Sequence, residues 1–113
     1  SIIGNWTSAT VSTEWSYLDW PVSSADLEKL RGVRFVFTSG SHALEIDGVE
    51  LLENGKIIAR DQHAGLAGKP SRGNFYKLSL PKGIHANNGC SLRARVRSVG
   101  GKSSNGKLEL IKE

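Results

Sequence analysis

The stretch that decides the fold class is residues 49–58, which read VELLENGKII. Two apolar pairs, Leu51-Leu52 and Ile57-Ile58, flank the central dipeptide Asn54-Gly55. A two-residue type I′ turn needs positive φ at both central positions, and Asn and Gly tolerate positive φ better than other residues. This segment therefore predicts a tight β-hairpin.

Short apolar runs with a period of two extend on both sides of this hairpin. Val33, Phe35 and Phe37 alternate with the residues between them, as a half-buried strand requires. A second alternation begins at Leu44 and slips by one position after Gly48. The slip predicts a β-bulge at that glycine.

The remaining runs bring the count to about eight strands, with loops at residues 62–74 and 83–90. Residues 24–30 depart from this pattern, and there Ser24 could cap one short helix. Short strands separated by Gly, Ser and Asn are typical of two packed sheets. The predicted fold class is all-β: an antiparallel two-sheet β-sandwich or jelly roll with about eight strands and at most one short helix.

Length and composition limit what the chain can be. Its 113 residues fit one domain, so residues 1–113 are predicted to form a single unit. One cysteine, Cys90, excludes a disulfide within the chain. No apolar run approaches the roughly 20 residues that span a bilayer, so no membrane is expected as a partner. Because the chain begins at Ser1 and contains no methionine, we interpret it as a domain cut from a larger protein.

Sequence motifs for catalysis are weak. Residues 65–71 superficially resemble a phosphate-binding loop, but their glycine spacing is wrong and no βα unit surrounds them. Ser41 adjoins His42 in a predicted hairpin turn, whereas a hydrolase nucleophile needs a strand-to-helix turn. A sandwich of this size also lacks the walls that enclose a substrate and exclude water. The sequence therefore predicts a protein that is not an enzyme.

Three of the eight aromatic residues are tryptophans in the first twenty positions. Tyr and Trp rings suit the apolar C–H faces of sugars, while nearby polar groups can bind the hydroxyls. Trp15 and Tyr17 lie in a polar segment, and Trp15 is the better candidate for an exposed stacking surface. Trp6 and Trp20 follow strand patterns and are predicted to pack in the core, and Tyr76 fits either environment.

Asp61, His63 and Arg72 are polar candidates in or beside a long predicted loop. Asp61 and His63 are two residues apart, so an extended strand would point both toward the same ligand or hard cation. The alternative is structural, with Asp61 accepting backbone N–H bonds and His63 fixing the following loop. No cofactor is assigned and the metal ligands stay unknown, although a structural calcium ion is left open.

Three arginines alternate along one predicted strand: Arg93, Arg95 and Arg97. If exposed, they would bind sulfated or uronic sugars, because a guanidinium group pairs bidentately with oxyanions. The alternative, which we favour, is cross-strand pairing with Glu45, Asp47 or Glu109. Nucleic acid is not expected, since the few aromatic residues do not interleave with the basic ones.

Several segments resemble a known family in the same order along the chain. They are YLDW at 17–20, FTSG at 37–40, VELLENGK at 49–56, DQHAG at 61–65, NFY at 74–76 and SSNG at 103–106. They are similar to segments of a β-sandwich module, of the carbohydrate-binding kind, that is appended to secreted bacterial glycoside hydrolases and sulfatases. The similarity runs from Trp6 to Leu110, and its departures are Pro21 and the loop at 83–90.

This resemblance implies a non-catalytic domain that is secreted, extracellular or periplasmic. It would bind a polysaccharide or oligosaccharide, neutral or anionic, and so target the catalytic domain of its parent enzyme to the glycan. The alternative is a structural accessory domain that packs against or spaces the parent enzyme without binding sugar. The predicted carbohydrate-binding residues are Trp15, Tyr17, Asp61, His63, Arg72 and Tyr76.

Overall fold

The computed structural model describes residues 1–112, and these are mostly in β-strands. In chain order the elements are β1 (Ile2–Trp6), β2 (Ser16–Val22), α1 (Ser24–Leu27), β3 (Leu30–Ser39), β4 (Leu44–Glu53), β5 (Lys56–Asp61), β6 (Gly65–Ala67), β7 (Phe75–Lys77), β8 (Cys90–Ser98) and β9 (Asn105–Lys112). The all-β prediction, with about eight strands and at most one short helix, is confirmed.

The strands form two antiparallel sheets. The four-stranded sheet has the order β1-β9-β3-β7, and the other has the order β2-β8-β4-β5, with β6 also paired to β4. Buried apolar residues from both sheets belong to one core, which confirms the predicted two-sheet sandwich. Within residues 1–112, none of the helical structure is long and apolar enough to cross a membrane.

The predicted hairpin joins β4 to β5. Asn54 has φ of 49° and Gly55 has φ of 79°, and Glu53 lies opposite Lys56. Both central residues thus adopt the positive φ that a type I′ turn requires, and the prediction is confirmed.

The predicted bulge at Gly48 is also present. Ile46 and Gly48 lie opposite successive residues of β8, so Asp47 is the extra residue in β4. Ile46 and Val49 are buried, whereas Asp47 and Gly48 both face away from the core. Two consecutive outward positions therefore interrupt the alternation, and one of them has no side chain.

The centre of the core is aromatic. The Phe35 ring centroid lies 5.9 Å from that of Trp6, 6.2 Å from that of Trp20 and 5.7 Å from that of Tyr76. The backbone of Gly106 lies directly against the Trp6 ring, so there is no space for a Cβ at position 106. The prediction that Trp6 and Trp20 pack in the core is confirmed.

The short helix differs from its prediction in its cap. Ser23, not Ser24, is the N-cap, and its Oγ accepts a hydrogen bond of 3.2 Å from the amide of Asp26. Leu27 and Leu30 are both buried, but Leu30 already belongs to β3. The turn is shorter than predicted because the chain enters the sheet at once.

The predicted loop at 62–74 is only partly a loop. It contains β6, which pairs with the first residues of β4, and the backbone of Leu66 exchanges hydrogen bonds of 2.8 and 2.9 Å with Arg72. The sequence did not indicate this strand because three residues are too few to show a period. The loop at 83–90 ends at Cys90, the first residue of β8.

Candidate functional site

The outward surface of the sheet β2-β8-β4-β5 carries an ordered array of polar and aromatic side chains. Alternate residues of β8 are buried, so the residues between them point outward. Residues directly opposite each other in an antiparallel pair share a face, so β2, β4 and β5 extend this array sideways. We call this surface the ladder face, and it comprises Trp15, Tyr17, Asp19, Glu45, Asp47, Gly48, Glu50, Arg60, Gln62, Arg93, Arg95 and Arg97.

We call each group of charged side chains that pair across neighbouring strands of this surface a rung. Two rungs of the ladder face are single ion pairs. Nε of Arg97 donates to Oε1 of Glu45 at 2.6 Å, and Nη1 of Arg95 donates to Oδ2 of Asp47 at 2.6 Å. The predicted cross-strand pairing with Glu45 and Asp47 is therefore confirmed. Each pair holds its guanidinium group in a fixed position on the surface.

A third rung has one carboxylate between two arginines. Oε1 of Glu50 accepts from Arg93 at 3.1 and 2.8 Å, and Oε2 accepts from Arg60 at 3.1 and 2.7 Å. Burial alone would raise the pKa of Glu50, but the hydrogen bonds and charges of the two arginines outweigh it and lower this pKa. Glu109, which was predicted as a partner of the arginines on β8, instead pairs with Arg34 in the other sheet at 3.4 Å.

The arginines also cover the aromatic residues of the ladder face. The Cζ atoms of Arg95 and Arg97 lie 4.6 and 4.9 Å from the ring centroid of Trp15, and Cζ of Arg93 lies 5.0 Å from that of Tyr17. Trp15 is half-buried as a result, while Tyr17 is 56% exposed. Tyr17, rather than Trp15, is therefore the more accessible aromatic residue.

A shallow depression of about 240 Å³ lies beside Tyr17. Asp47, Gly48, Gln62 and Arg95 contribute to its lining. A Cβ added at Gly48 would stand 3.3 Å from Cγ of Gln62, so the absence of a side chain there helps to keep the depression open. The bulge thus creates a polar depression directly next to an exposed ring.

Asp61 and His63 form a different cluster, at the end of β5. Nδ1 of His63 donates to Oδ1 of Asp61 at 3.0 Å, and Nε2 donates to the carbonyl of Gly73 at 2.9 Å. Oδ2 of Asp61 accepts a bond of 2.7 Å from the amide of Lys77. These bonds tie the end of β5 to the following loop and to β7, as the structural alternative in the sequence analysis described.

Both partners of the His63 ring are hydrogen-bond acceptors, so the ring satisfies both only as the doubly protonated imidazolium. Burial alone would lower the pKa of His63, but the bond to Asp61, the bond to the Gly73 carbonyl and the charge of Asp61 raise it overall. The ring also stacks on Tyr76, with centroids 4.0 Å apart and planes 10° apart. The imidazole is therefore held on both its edges and one face.

The structure places five of the six predicted binding residues in two clusters, and Arg72 lies apart from both. Trp15 and Tyr17 lie together on the ladder face. Asp61, His63 and Tyr76 belong to the hydrogen-bonded cluster that joins β5 to β7, which we call the brace. The backbone of Arg72 belongs to the bridge with Leu66. Tyr76 is completely buried, and its hydroxyl donates to the carbonyl of His63 at 3.0 Å, so its ring is not available for stacking on a sugar.

The side chains of Asp61 and His63 do not fit the calcium ion that the sequence left open. Across residues 1–112, no three His, Cys, Asp or Glu side chains are grouped closely enough to hold a metal ion. Both carboxylate oxygens of Asp61 already accept hydrogen bonds from the protein. No metal role is assigned.

Comparison with known proteins gives no further assignment: neither the models of protein families nor the curated protein sequences match this chain. The resemblance to a carbohydrate-binding module therefore stays a prediction made from sequence.

Proposed function

We propose that this domain binds carbohydrate, without catalysis, on the ladder face. The observation that carries the proposal is the exposed ring of Tyr17 beside the depression formed at the Gly48 bulge. An aromatic ring offers an apolar platform for the C–H face of a sugar, and the residues around it offer hydrogen bonds to hydroxyl groups. This combination of an apolar platform and a few polar groups is typical of a specific small-ligand site.

Two polar groups of the depression, Arg95 and Asp47, are already held by protein contacts before a ligand arrives. Arg95 lies against Trp15 on one side and is bonded to Asp47 on the other. An arginine has five N–H groups, and the bond to Asp47 uses one of them, so donors remain for sugar hydroxyls. Because the side chain loses little further freedom on binding, the entropy cost of recognition is reduced.

The proposal extends to the setting of the domain. The resemblance noted in the sequence supports a module that is secreted, extracellular or periplasmic and joined to the catalytic domain of a carbohydrate-active enzyme. A surface that binds sugar weakly would still keep the attached enzyme near polysaccharide. Once the module is bound, the contact of the enzyme with the same polysaccharide molecule becomes intramolecular.

One observation favours the second candidate function, a structural accessory domain. Asp61, His63 and Asn74 are all bonded within the protein, with Nδ2 of Asn74 donating to the carbonyl of Phe35 at 2.8 Å. The hydroxyl of Tyr76 likewise bonds to the carbonyl of His63, so Asp61, His63 and Tyr76, half of the six predicted binding residues, serve the fold itself. A domain of this type would space or brace the parent enzyme without any affinity for sugar.

The test is affinity gel electrophoresis of the chain through neutral, uronic and sulfated polysaccharides. We expect retardation by at least one of them, and a Tyr17→Ala variant should bind it at least about tenfold more weakly, a loss of about 1.4 kcal/mol. Arg95→Ala should also weaken binding. Arg34→Ala is the matched control, because Arg34 likewise lies over an aromatic ring and pairs with a carboxylate, but in the other sheet.

Two results would count against the proposal. Retardation by no polysaccharide would favour the structural accessory domain. Equal weakening by Arg95→Ala and Arg34→Ala, with the melting temperatures unchanged, would move the binding surface away from the ladder face.

A further inference from the structure

A second depression adjoins the ladder face at Asp19, farther along the same strands. It has a volume of about 320 Å³, and Asp19, Leu52, Asn54, Asn88 and Ser91 contribute to its lining. Asp19 is two residues beyond Tyr17 in β2, so both side chains face the same side of the sheet. The two depressions are therefore neighbours on one surface.

From these two depressions we infer that the glycan is an uncharged linear chain that runs along the strands, from Tyr17 to Asn88, with a separate subsite in the second depression. The inference rests on the proposed function and deepens it, since it names the class of glycan and the direction in which it lies.

The dimensions of the sheet agree with an extended ligand. Four residue steps separate Ser91, in the second depression, from Arg95, which lies opposite Tyr17. At about 3.3 Å per residue this distance is about 13 Å, which is long enough for a short run of sugar rings. Two members of the third rung, Glu50 and Arg60, also line the first depression. Arg93, the third member, lies opposite Asp19 of the second depression.

The charge of the ladder face favours an uncharged chain. Its ionised groups balance, with four guanidinium groups and four carboxylates: Arg60, Arg93, Arg95 and Arg97, and Asp19, Glu45, Asp47 and Glu50. The formal net charge of +4 on the whole chain therefore arises outside this surface. A sulfated or uronic glycan would have to compete with carboxylates that already hold the arginines, whereas hydroxyl groups can use the N–H groups and lone pairs that the ion pairs leave.

The second depression supports the same class of ligand. Asn54 and Asn88 carry amide groups, which donate and accept hydrogen bonds without charge. Leu52 also lines this depression and adds an apolar group. Amide groups beside an apolar side chain suit a sugar ring, which has hydroxyl groups at its edge and C–H groups on its face.

The experiment is isothermal titration calorimetry with fragments of two to six sugars, prepared by acid hydrolysis from the polysaccharide that retards the chain. Oligogalacturonates of the same lengths serve as the anionic probes. Affinity should rise at least about tenfold from two to five sugars and change less than about twofold between low and high salt. Asn88→Ala should weaken binding of the five-sugar fragment at least about fivefold and leave the two-sugar fragment unchanged, while Asn87→Ala, at an adjacent exposed position, should affect neither.

The outcomes separate this inference from the proposed function. Equal affinity for two and five sugars, or unchanged binding in Asn88→Ala, would overturn the inference and leave the site at Tyr17 standing. Tighter, salt-sensitive binding of oligogalacturonates would overturn the uncharged class alone. Failure to bind every polysaccharide in the gel would overturn both proposals.

Discussion

Nδ1 of His63 lies 3.0 Å from Oδ1 of Asp61, two residues earlier in the chain. The opposite nitrogen of the same ring bonds to the carbonyl of Gly73, and the second oxygen of Asp61 bonds to the amide of Lys77. One charged pair thus connects β5, the loop that follows it and β7. This arrangement explains the two polar residues as a brace at the edge of the sandwich.

The brace should make the stability of the domain depend on pH. The folded pKa of His63 is raised above its unfolded value of about 6.5. Its stabilising contribution is therefore fully present below about pH 6.5 and is lost as the pH rises through the folded pKa. We expect a higher melting temperature at about pH 5.5 than at about pH 8.5, measured by circular dichroism at constant ionic strength.

The variants that isolate this effect are His63→Gln and Asp61→Asn. His63→Gln should remove most of the difference between the two pH values, because the residue no longer titrates. Asp61→Asn should reduce the difference, because the acceptor of the Nδ1 proton loses its charge. A pH difference that persists unchanged in His63→Gln would show that another group causes it.

The two tyrosines of the chain provide a matched pair for measuring one buried hydrogen bond. Tyr76 is fully buried and its hydroxyl bonds to the carbonyl of His63, whereas Tyr17 is exposed. Tyr76→Phe should lower the free energy of unfolding by about 1 kcal/mol, and Tyr17→Phe should change it by less than about 0.5 kcal/mol. Urea denaturation measures both, and equal losses in the two variants would contradict the assignment.

The sequence predicted the fold well where local chemistry is decisive. Asn54-Gly55 specifies its own turn, and the slip of alternation at Gly48 corresponds to a real bulge. It predicted β6 poorly, because a three-residue strand owes its existence to the neighbouring edge of β4 rather than to its own residues.

The ladder face was harder to predict because it depends on register. A regular hairpin around Asn54-Gly55 would place Glu50 opposite Ala59. Ile58 instead packs against the core as an extra residue, which shifts the register and places Glu50 opposite Arg60. Such a shift is not visible in the hydrophobic pattern, so the Glu50 rung could not be foreseen.

The turn itself offers a prediction about backbone strain. Gly55 has φ of 79° and nothing within 4 Å of the position that a Cβ would occupy. Gly55→Ala should therefore lower the free energy of unfolding by about 1 kcal/mol through conformation alone. Asn54→Gly, at the other positive-φ position, should change it by less than about 0.5 kcal/mol. Urea denaturation of the two variants checks the difference, and a harmless Gly55→Ala would argue against the type I′ geometry.

Glu50 allows the charge balance of the ladder face to be altered at one position. It is 17% exposed and holds both Arg93 and Arg60, so Glu50→Gln leaves two guanidinium groups without a carboxylate. We expect a modest loss of stability, on the order of 1 kcal/mol. We also expect new retardation by uronic and sulfated polysaccharides that disappears at high salt, because the surface gains a net positive charge.

Glu109→Gln is the control for this change, because Glu109 pairs with Arg34 in the opposite sheet. This substitution alters the net charge of the chain by the same amount as Glu50→Gln. If both variants gain the same affinity for anionic polysaccharides, the cause is the overall charge of the chain. If only Glu50→Gln gains it, the carboxylate of Glu50 is what keeps the arginines of the ladder face from binding oxyanions. That result would also account for a row of arginines on a surface suited to uncharged sugars.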